Sequence, residues 1–88
     1  MINLFLLQEC LKEIKQQLGI PMDLKNIYIK ETRGNTVSLY ILIKPISLLV
    51  DVAFIQGGVP SVKKRKIPLE ELEKELQNVK NVEDIFNS

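Results

Sequence analysis

Apolar residues near the start of the chain recur at steps of three and four positions, which places them on one face of a helix. The residues of this stripe are Leu4, Leu7, Leu11, Ile14 and Leu18. Asn3 precedes the stripe and is a suitable N-cap. Gly19 follows it, where a left-handed residue commonly ends a helix, and Pro21 prevents continuation. The pattern therefore predicts a helix between Asn3 and Gly19.

From Ile27 onward the apolar period shortens to two, which is typical of strands. Three alternating stretches cover residues 27–30, 37–44 and 48–55, and turn residues separate them at Arg33–Asn35 and around Pro45. Connections this short favour an antiparallel meander, because parallel neighbours need a longer crossover. Residues 63–66 follow the turn signal at 57–60, and we expect either a fourth strand at the sheet edge or a loop there.

The last part of the chain returns to helical spacing. Its apolar stripe consists of Leu69, Leu72, Leu76 and Val79. Pro68 suits the first helical position, and Glu70 and Glu71 complement the positive end of the helix dipole. Asn81 either caps a final short helix or lies within a continuous one. The chain is thus predicted to be a single α+β domain over residues 1–88, with the element order α-β-β-β-(β)-α.

The two faces of the predicted sheet differ in composition. One face is uniformly apolar and consists of Ile27, Ile29, Val37, Leu39, Ile41, Ile43, Leu48, Val50, Val52 and Phe54. Both amphipathic helices are expected to cover this face, which gives a two-layer sandwich. The opposite face, called the mixed face below, carries Lys30, Ser38 and Asp51 together with Tyr28, Tyr40, Leu42, Leu49 and Ile55. A sheet face open to water normally alternates to polar residues more completely.

Two explanations account for the apolar members of the mixed face. In the first, the C-terminal residues Val82, Ile85 and Phe86 fold across part of it. In the second, the face docks a protein partner or a second copy of the chain, since contiguous exposed apolar patches often mark interaction sites. On this second explanation the docking residues are Tyr28, Tyr40, Leu42, Leu49 and Ile55.

Composition argues against most catalytic chemistry. The 88 residues include no histidine and one cysteine, so the commonest general base and any multi-cysteine metal site are missing. Cys10 lies on the leucine-rich helix without a base beside it, which is typical of an inert thiol. We therefore expect a non-enzymatic protein without a cofactor, a metal or a small-molecule substrate. The apolar stretches lack the features of a signal peptide or a membrane span, so we expect a cytoplasmic protein.

Charge is segregated along the chain although the formal net charge is only +1. Residues 20–66 contain eight basic and three acidic side chains, whereas residues 67–88 contain two basic and six acidic ones. Four consecutive cations form the basic run: Lys63, Lys64, Arg65 and Lys66. The run has three interpretations: lysines that protect a sheet edge from unwanted pairing, a solvated loop, or a site for phosphate groups.

The element order α-β-β-β-α resembles that of double-stranded RNA-binding domains, which also carry a basic cluster at the start of their final helix. The resemblance implies a nucleic-acid ligand for the basic run. The chain lacks two motifs of that family, Lys-Lys-x-Ala-Lys at the helix start and Gly-Pro-x-His between the first two strands. In this chain the basic run precedes Pro68, and the first turn is Arg33–Asn35.

Two functions follow as hypotheses. The first is a small interaction or assembly protein that docks a protein partner or itself through the mixed face. The alternative is a nucleic-acid-binding domain that uses the basic run, with Lys30 and Arg33 in support. Tyr28 and Tyr40, if they are neighbours across two strands, could stack on bases in this second case.

Overall fold

The computed structural model describes residues 3–87. The helices are α1 (Leu4–Leu18), α2 (Leu69–Glu75) and α3 (Val82–Phe86), with one short 3-10 turn at Leu24–Asn26. The strands are β1 (Ile27–Arg33), β2 (Thr36–Ile43), β3 (Ile46–Ala53), β4 (Ser61–Ile67) and β5 (Lys80–Asn81). All strand pairs are antiparallel, and the strand order in the sheet is β4-β3-β2-β1-β5. The predicted α+β class and antiparallel meander are confirmed.

Local signals fix both ends of α1. The Asn3 side chain accepts hydrogen bonds from the backbone N–H groups of Phe5, at 2.7 Å, and Leu6, at 3.3 Å. Gly19 takes the left-handed conformation with a φ of 63°, and its N–H donates to the Lys15 carbonyl. These bonds satisfy backbone groups that a helix end otherwise leaves unpaired. The helix predicted between Asn3 and Gly19 is confirmed, with the caps that the sequence indicates.

The first core lies between the uniformly apolar sheet face and two helices. The buried residues of this core are Leu7, Cys10, Ile14, Ile27, Val37, Leu39, Ile41, Leu48, Val50, Val52 and Val82. α1 contributes three of them, and α3 contributes Val82, with Ile85 and Phe86 packed alongside. The proposed cover of the mixed face by these C-terminal residues is therefore wrong, because they pack on the opposite side of the sheet.

A second core lies on the mixed face. It consists of the buried residues Tyr40, Leu49, Ile67 and Leu72, with Tyr28, Leu42, Leu69, Leu76 and Val79 packed against them. Leu72 belongs to α2, so α2 covers part of the mixed face while α1 covers the other side. The prediction that both helices share one face is corrected: helices lie on both faces, in three layers. The leucine stripe of α2 indicates a buried helix face but carries no information about which side of the sheet receives it.

The C-terminal segment consists of separate short elements. α2 ends at Glu75, the chain forms two residues of strand beside β1, and Asn81 then caps α3. The Asn81 side chain accepts from the Asp84 N–H at 3.3 Å and donates to the Lys25 carbonyl at 2.8 Å. Of the two alternatives for Asn81, the cap of a final short helix is confirmed. No helix within residues 3–87 has the length and apolar character needed to cross a membrane.

Candidate functional site

The basic run lies on β4, at one edge of the sheet. Its residues pair with β3 in the register Lys63 to Asp51, Lys64 to Val50, Arg65 to Leu49 and Lys66 to Leu48. All four side chains are exposed. Because strand residues alternate in direction, Lys63 and Arg65 lie on the side of α2, whereas Lys64 and Lys66 lie on the side of α1. The basic run therefore forms a ridge of charge on both sides of a sheet edge rather than a loop.

Both ends of β4 are fixed by hydrogen bonds from other elements. The buried Ser47 hydroxyl on β3 donates to the Ile67 carbonyl at 3.0 Å. At the opposite end, the Gln17 side-chain amide on α1 donates to the Pro60 carbonyl at 2.8 Å. Ile67 itself is buried in the second core. The exposed cations are thus carried by a strand that is anchored to β3, to α1 and to the second core.

No acidic side chain within residues 3–87 forms an ion pair with the basic run. Asp51 is opposite Lys63 in the sheet, but its Oδ1 atom accepts a hydrogen bond from the Ser38 hydroxyl at 2.6 Å. The ion pair found within residues 3–87 lies on β1 instead, where Arg33 Nη1 and Glu31 Oε1 are 3.9 Å apart. The four cations of β4 therefore remain open to an anionic partner.

The other predicted cations do not join the basic run. Lys30 and Arg33 lie on β1, which is separated from β4 by β2 and β3. With strands about 4.8 Å apart, β1 and β4 are separated by about 14 Å. The Lys30 ammonium is 5.9 Å from the centroid of the Tyr40 ring, within the range of a cation–π contact. The structure therefore contains two separate positively charged regions rather than one cluster.

The apolar residues of the mixed face have different exposures. Tyr28 and Tyr40 are direct neighbours on β1 and β2. Tyr40 is 3% exposed and Leu49 is 7% exposed, because α2 covers them. Tyr28 and Leu42 are half-buried beside the same cluster. Ile55 is 53% exposed, but it lies in the loop after β3 and outside the sheet.

The environment of Tyr40 reflects its position beneath α2. Burial raises the pKa of the Tyr40 phenol above its ordinary value, and the negative charges of Glu75 and Glu71 on α2 raise this pKa further. Arg65 on β4 acts in the opposite direction. A neutral, largely buried phenol that packs against leucines stabilises the fold, and it presents little ring surface for stacking on a base.

Reactive groups are scarce among the described residues. Cys10 is fully buried, and desolvation raises the pKa of its thiol to about 12. A thiol with such a pKa contains almost no thiolate at neutral pH and is therefore a poor nucleophile. Over residues 3–87, no three acidic or cysteine side chains are grouped so that they could hold a metal ion.

Two features of this surface were not predicted from the sequence. Gln17 is exposed on α1, and nothing in the spacing of polar residues distinguishes it from neighbouring residues that contact no other element. β5 is too short to show an alternating pattern, so the second edge of the sheet could not be located. The order of elements also departs from the double-stranded RNA-binding resemblance, because a fourth strand carries the basic run and a fifth precedes α3.

Comparison of the chain with protein-family models, with curated proteins and with solved structures finds no match.

Proposed function

We propose that this chain is a non-enzymatic protein that binds nucleic acid through the basic run on β4. The observation that supports this function is a row of four consecutive exposed cations on an anchored edge strand, none paired with an acid among residues 3–87. At about 3.3 Å per residue, the row is about 10 Å long. Contacts of this kind neutralise phosphates and release counterions, without requiring base recognition.

The shape of the basic run favours a polyanion over a small anion. A small phosphate site normally has converging donors in a concave pocket, whereas these side chains diverge from both sides of a strand. A ridge of this shape suits a partner that presents several phosphates in succession. Because the formal net charge is only +1, the attraction between the protein and a polyanion is local to the basic run. The binding of the polyanion should therefore depend strongly on salt.

The experiment is a fluorescence-anisotropy titration with labelled duplex RNA, duplex DNA and single strands, at low and at near-physiological salt. The test variant replaces all four residues of the basic run with glutamine, which removes the charge and keeps a polar, hydrogen-bonding side chain. A control variant of equal net charge replaces four other exposed lysines: Lys12, Lys15, Lys25 and Lys44. Light scattering on each variant verifies that the proteins remain monodisperse.

The proposal predicts salt-sensitive binding by the wild type, with affinity falling by about one power of the salt concentration per phosphate contacted. The test variant should lose most of this binding, and the control should keep most of it. Equal losses in both variants would indicate a response to net charge alone and would contradict the proposal. Absence of binding by the wild type at low salt would also contradict it, and the basic run would then protect the sheet edge.

Docking of a protein partner on the mixed face remains a second candidate, with a smaller surface. The half-buried Tyr28 and Leu42 border the second core, and Ile55 is exposed in the loop after β3. The substitution Leu42→Glu should weaken an association through this face while sparing nucleic-acid binding. Since Leu42 also packs in the second core, a matched measurement of unfolding is needed to separate lost docking from lost stability.

A further inference from the structure

The edge of the sheet opposite β4 is only partly covered. β5 pairs with β1 at Tyr28 and Ile29 and with no other residue of β1. The remainder of the strand is Lys30–Arg33, whose four side chains are exposed. Glu31, Thr32 and Arg33 pair with β2 on one side, and the register shifts at Lys30, which has no partner on β2. Within residues 3–87 no other strand pairs with this half of β1. It is therefore an open sheet edge that can accept a further strand.

Hydrogen-bond alternation identifies the outward-facing backbone groups. β1 and β2 are joined by a two-residue turn, so Arg33 and Thr36 form a hydrogen-bonded pair at its base. The next pair, Thr32 with Val37, is then of the type whose backbone groups point away from each other. The N–H and C=O of Thr32 accordingly point away from β2, toward the open edge.

Charge along this edge is complementary to itself. Thr32 lies between Glu31 and Arg33, whose side chains are 46% and 80% exposed. If two copies of β1 pair antiparallel around a twofold axis at Thr32, Glu31 of each copy is opposite Arg33 of the other. Opposite charges at such positions are stabilising, and like charges are destabilising. An axis at Glu31 or at Arg33 would bring identical charges face to face, so the sequence favours the pairing centred on Thr32.

The charge along the β4 edge is not complementary to itself. Its four consecutive cations would meet cations of a second copy in an antiparallel self-pairing centred on the basic run, which opposes association. Of the two edges, only the β1 edge is therefore suited to an identical partner. A twofold axis there leaves the basic run at both outer ends of the combined sheet, where it is still exposed.

Apolar surface lies next to the open edge. A depression of about 820 Å³ is lined by four apolar residues, Leu4, Ile29, Val79 and Ile85, and by seven polar or charged residues that include Lys30, Glu31 and Thr32. Leu4 is 47% exposed and Phe5 is 69% exposed at the start of α1. A twofold axis perpendicular to the sheet keeps both α1 helices on the same face. It brings their exposed N-terminal ends toward each other near the axis, where association can remove them from water.

From these observations we propose that two copies of this chain associate by antiparallel pairing of β1 around Thr32. The dimer contains one continuous sheet, with reciprocal Glu31–Arg33 pairs on one face and the Leu4 and Phe5 side chains on the other. The paired segment is short, so the dimer forms at high protein concentration and dissociates on dilution.

Sedimentation of the full chain over a range of concentrations measures how strongly it dimerises. Exchange of the charges at Glu31 and Arg33 tests the geometry of the dimer. Glu31→Arg and Arg33→Glu each replace two attractive pairs with two repulsive ones. Each single variant should therefore dimerise about tenfold more weakly than the wild type. An equal mixture of the two variants restores both attractive pairs, and so does the double variant Glu31→Arg/Arg33→Glu. Recovery in both cases is the expected result.

A backbone test at Thr32 is independent of charge. Thr32→Pro removes the outward-facing N–H and should abolish the dimer, whereas Thr32→Ala keeps this group and should leave the dimer intact. Circular dichroism verifies that the proline variant remains folded. A wild-type chain that stays monomeric at millimolar concentration would overturn the proposal. Equal dimerisation of the proline and alanine variants, or no recovery in the charge mixture, would also overturn it.

Discussion

Single side chains determine how β4 is held in place. The Ser47 hydroxyl binds the Ile67 carbonyl at one end, and the Gln17 amide binds the Pro60 carbonyl at the other. Ser47 is fully buried, so its hydroxyl needs this partner. Neither residue carries the basic charge, yet together they position the strand that does. Substitutions at these two positions would act on the basic run indirectly, through the ends of β4.

At the residue scale, Cys10 gives a prediction about pH. Burial raises the pKa of the folded thiol to about 12. An unfolded thiol has a pKa of about 8.5. Because the folded pKa is the higher one, the contribution of Cys10 to stability is fully present below about pH 8.5. It is lost as the pH rises toward about 12. Urea unfolding of the wild type and of Cys10→Ala, at about pH 7.5 and about pH 10, measures this contribution.

Cys10→Ala is the reference for the wild type because it lacks the ionising thiol. The wild type should lose more free energy of unfolding between the two pH values than Cys10→Ala does, since lysine and tyrosine titrations affect both proteins. Identical pH dependence in the two proteins would contradict the burial of an un-ionised thiol in the first core.

At the scale of elements, the position of α2 changes the interpretation of the mixed face. Tyr40 and Leu49 are buried by Leu72 and its neighbours, so these apolar residues belong to a second core. From the sequence alone, a semi-apolar sheet face can be explained in two ways: another part of the chain covers it, or a partner does. The structure shows that α2 provides much of this cover.

We expect Leu72→Ala to reduce the free energy of unfolding by about 2–5 kcal/mol, because it removes a fully buried leucine between α2 and β3. Leu4→Ala is the control, since Leu4 is 47% exposed and its truncation should cost less than about 0.5 kcal/mol. Urea or thermal unfolding measures both values. Similar small losses in the two variants would mean that α2 is not packed on the mixed face as described.

Elements defined by local signals were predictable from the sequence, but their relative placement was not. The caps of α1 and the alternation in β2 and β3 depend on neighbouring residues, which a sequence displays directly. The face chosen by α2 depends on how Pro68 and the end of β4 direct the chain, and no local pattern records this. The basic run was recognisable as a cluster, but only the pairing with β3 established that it is an edge strand.

At the scale of the whole molecule, the two edges of the sheet have different chemistry. β4 carries four cations without acidic partners among the described residues, whereas on the open half of β1 the opposite charges of Glu31 and Arg33 flank Thr32, with Lys30 beyond them. The first edge suits a polyanion, and the second suits an identical strand. Since the two edges are on opposite sides of the molecule, the proposed dimerisation and the proposed nucleic-acid binding are compatible and can be tested separately.

Chemical-shift mapping locates the surface that nucleic acid contacts and so tests whether the basic run binds it. Duplex RNA and duplex DNA are titrated at low salt into ¹⁵N-labelled protein, below the concentration at which it dimerises. If the proposed binding occurs, the largest amide shifts lie on β4, Ser61–Ile67, and shrink as salt is added. Shifts confined to other surfaces, or none at any nucleic-acid concentration, would contradict it.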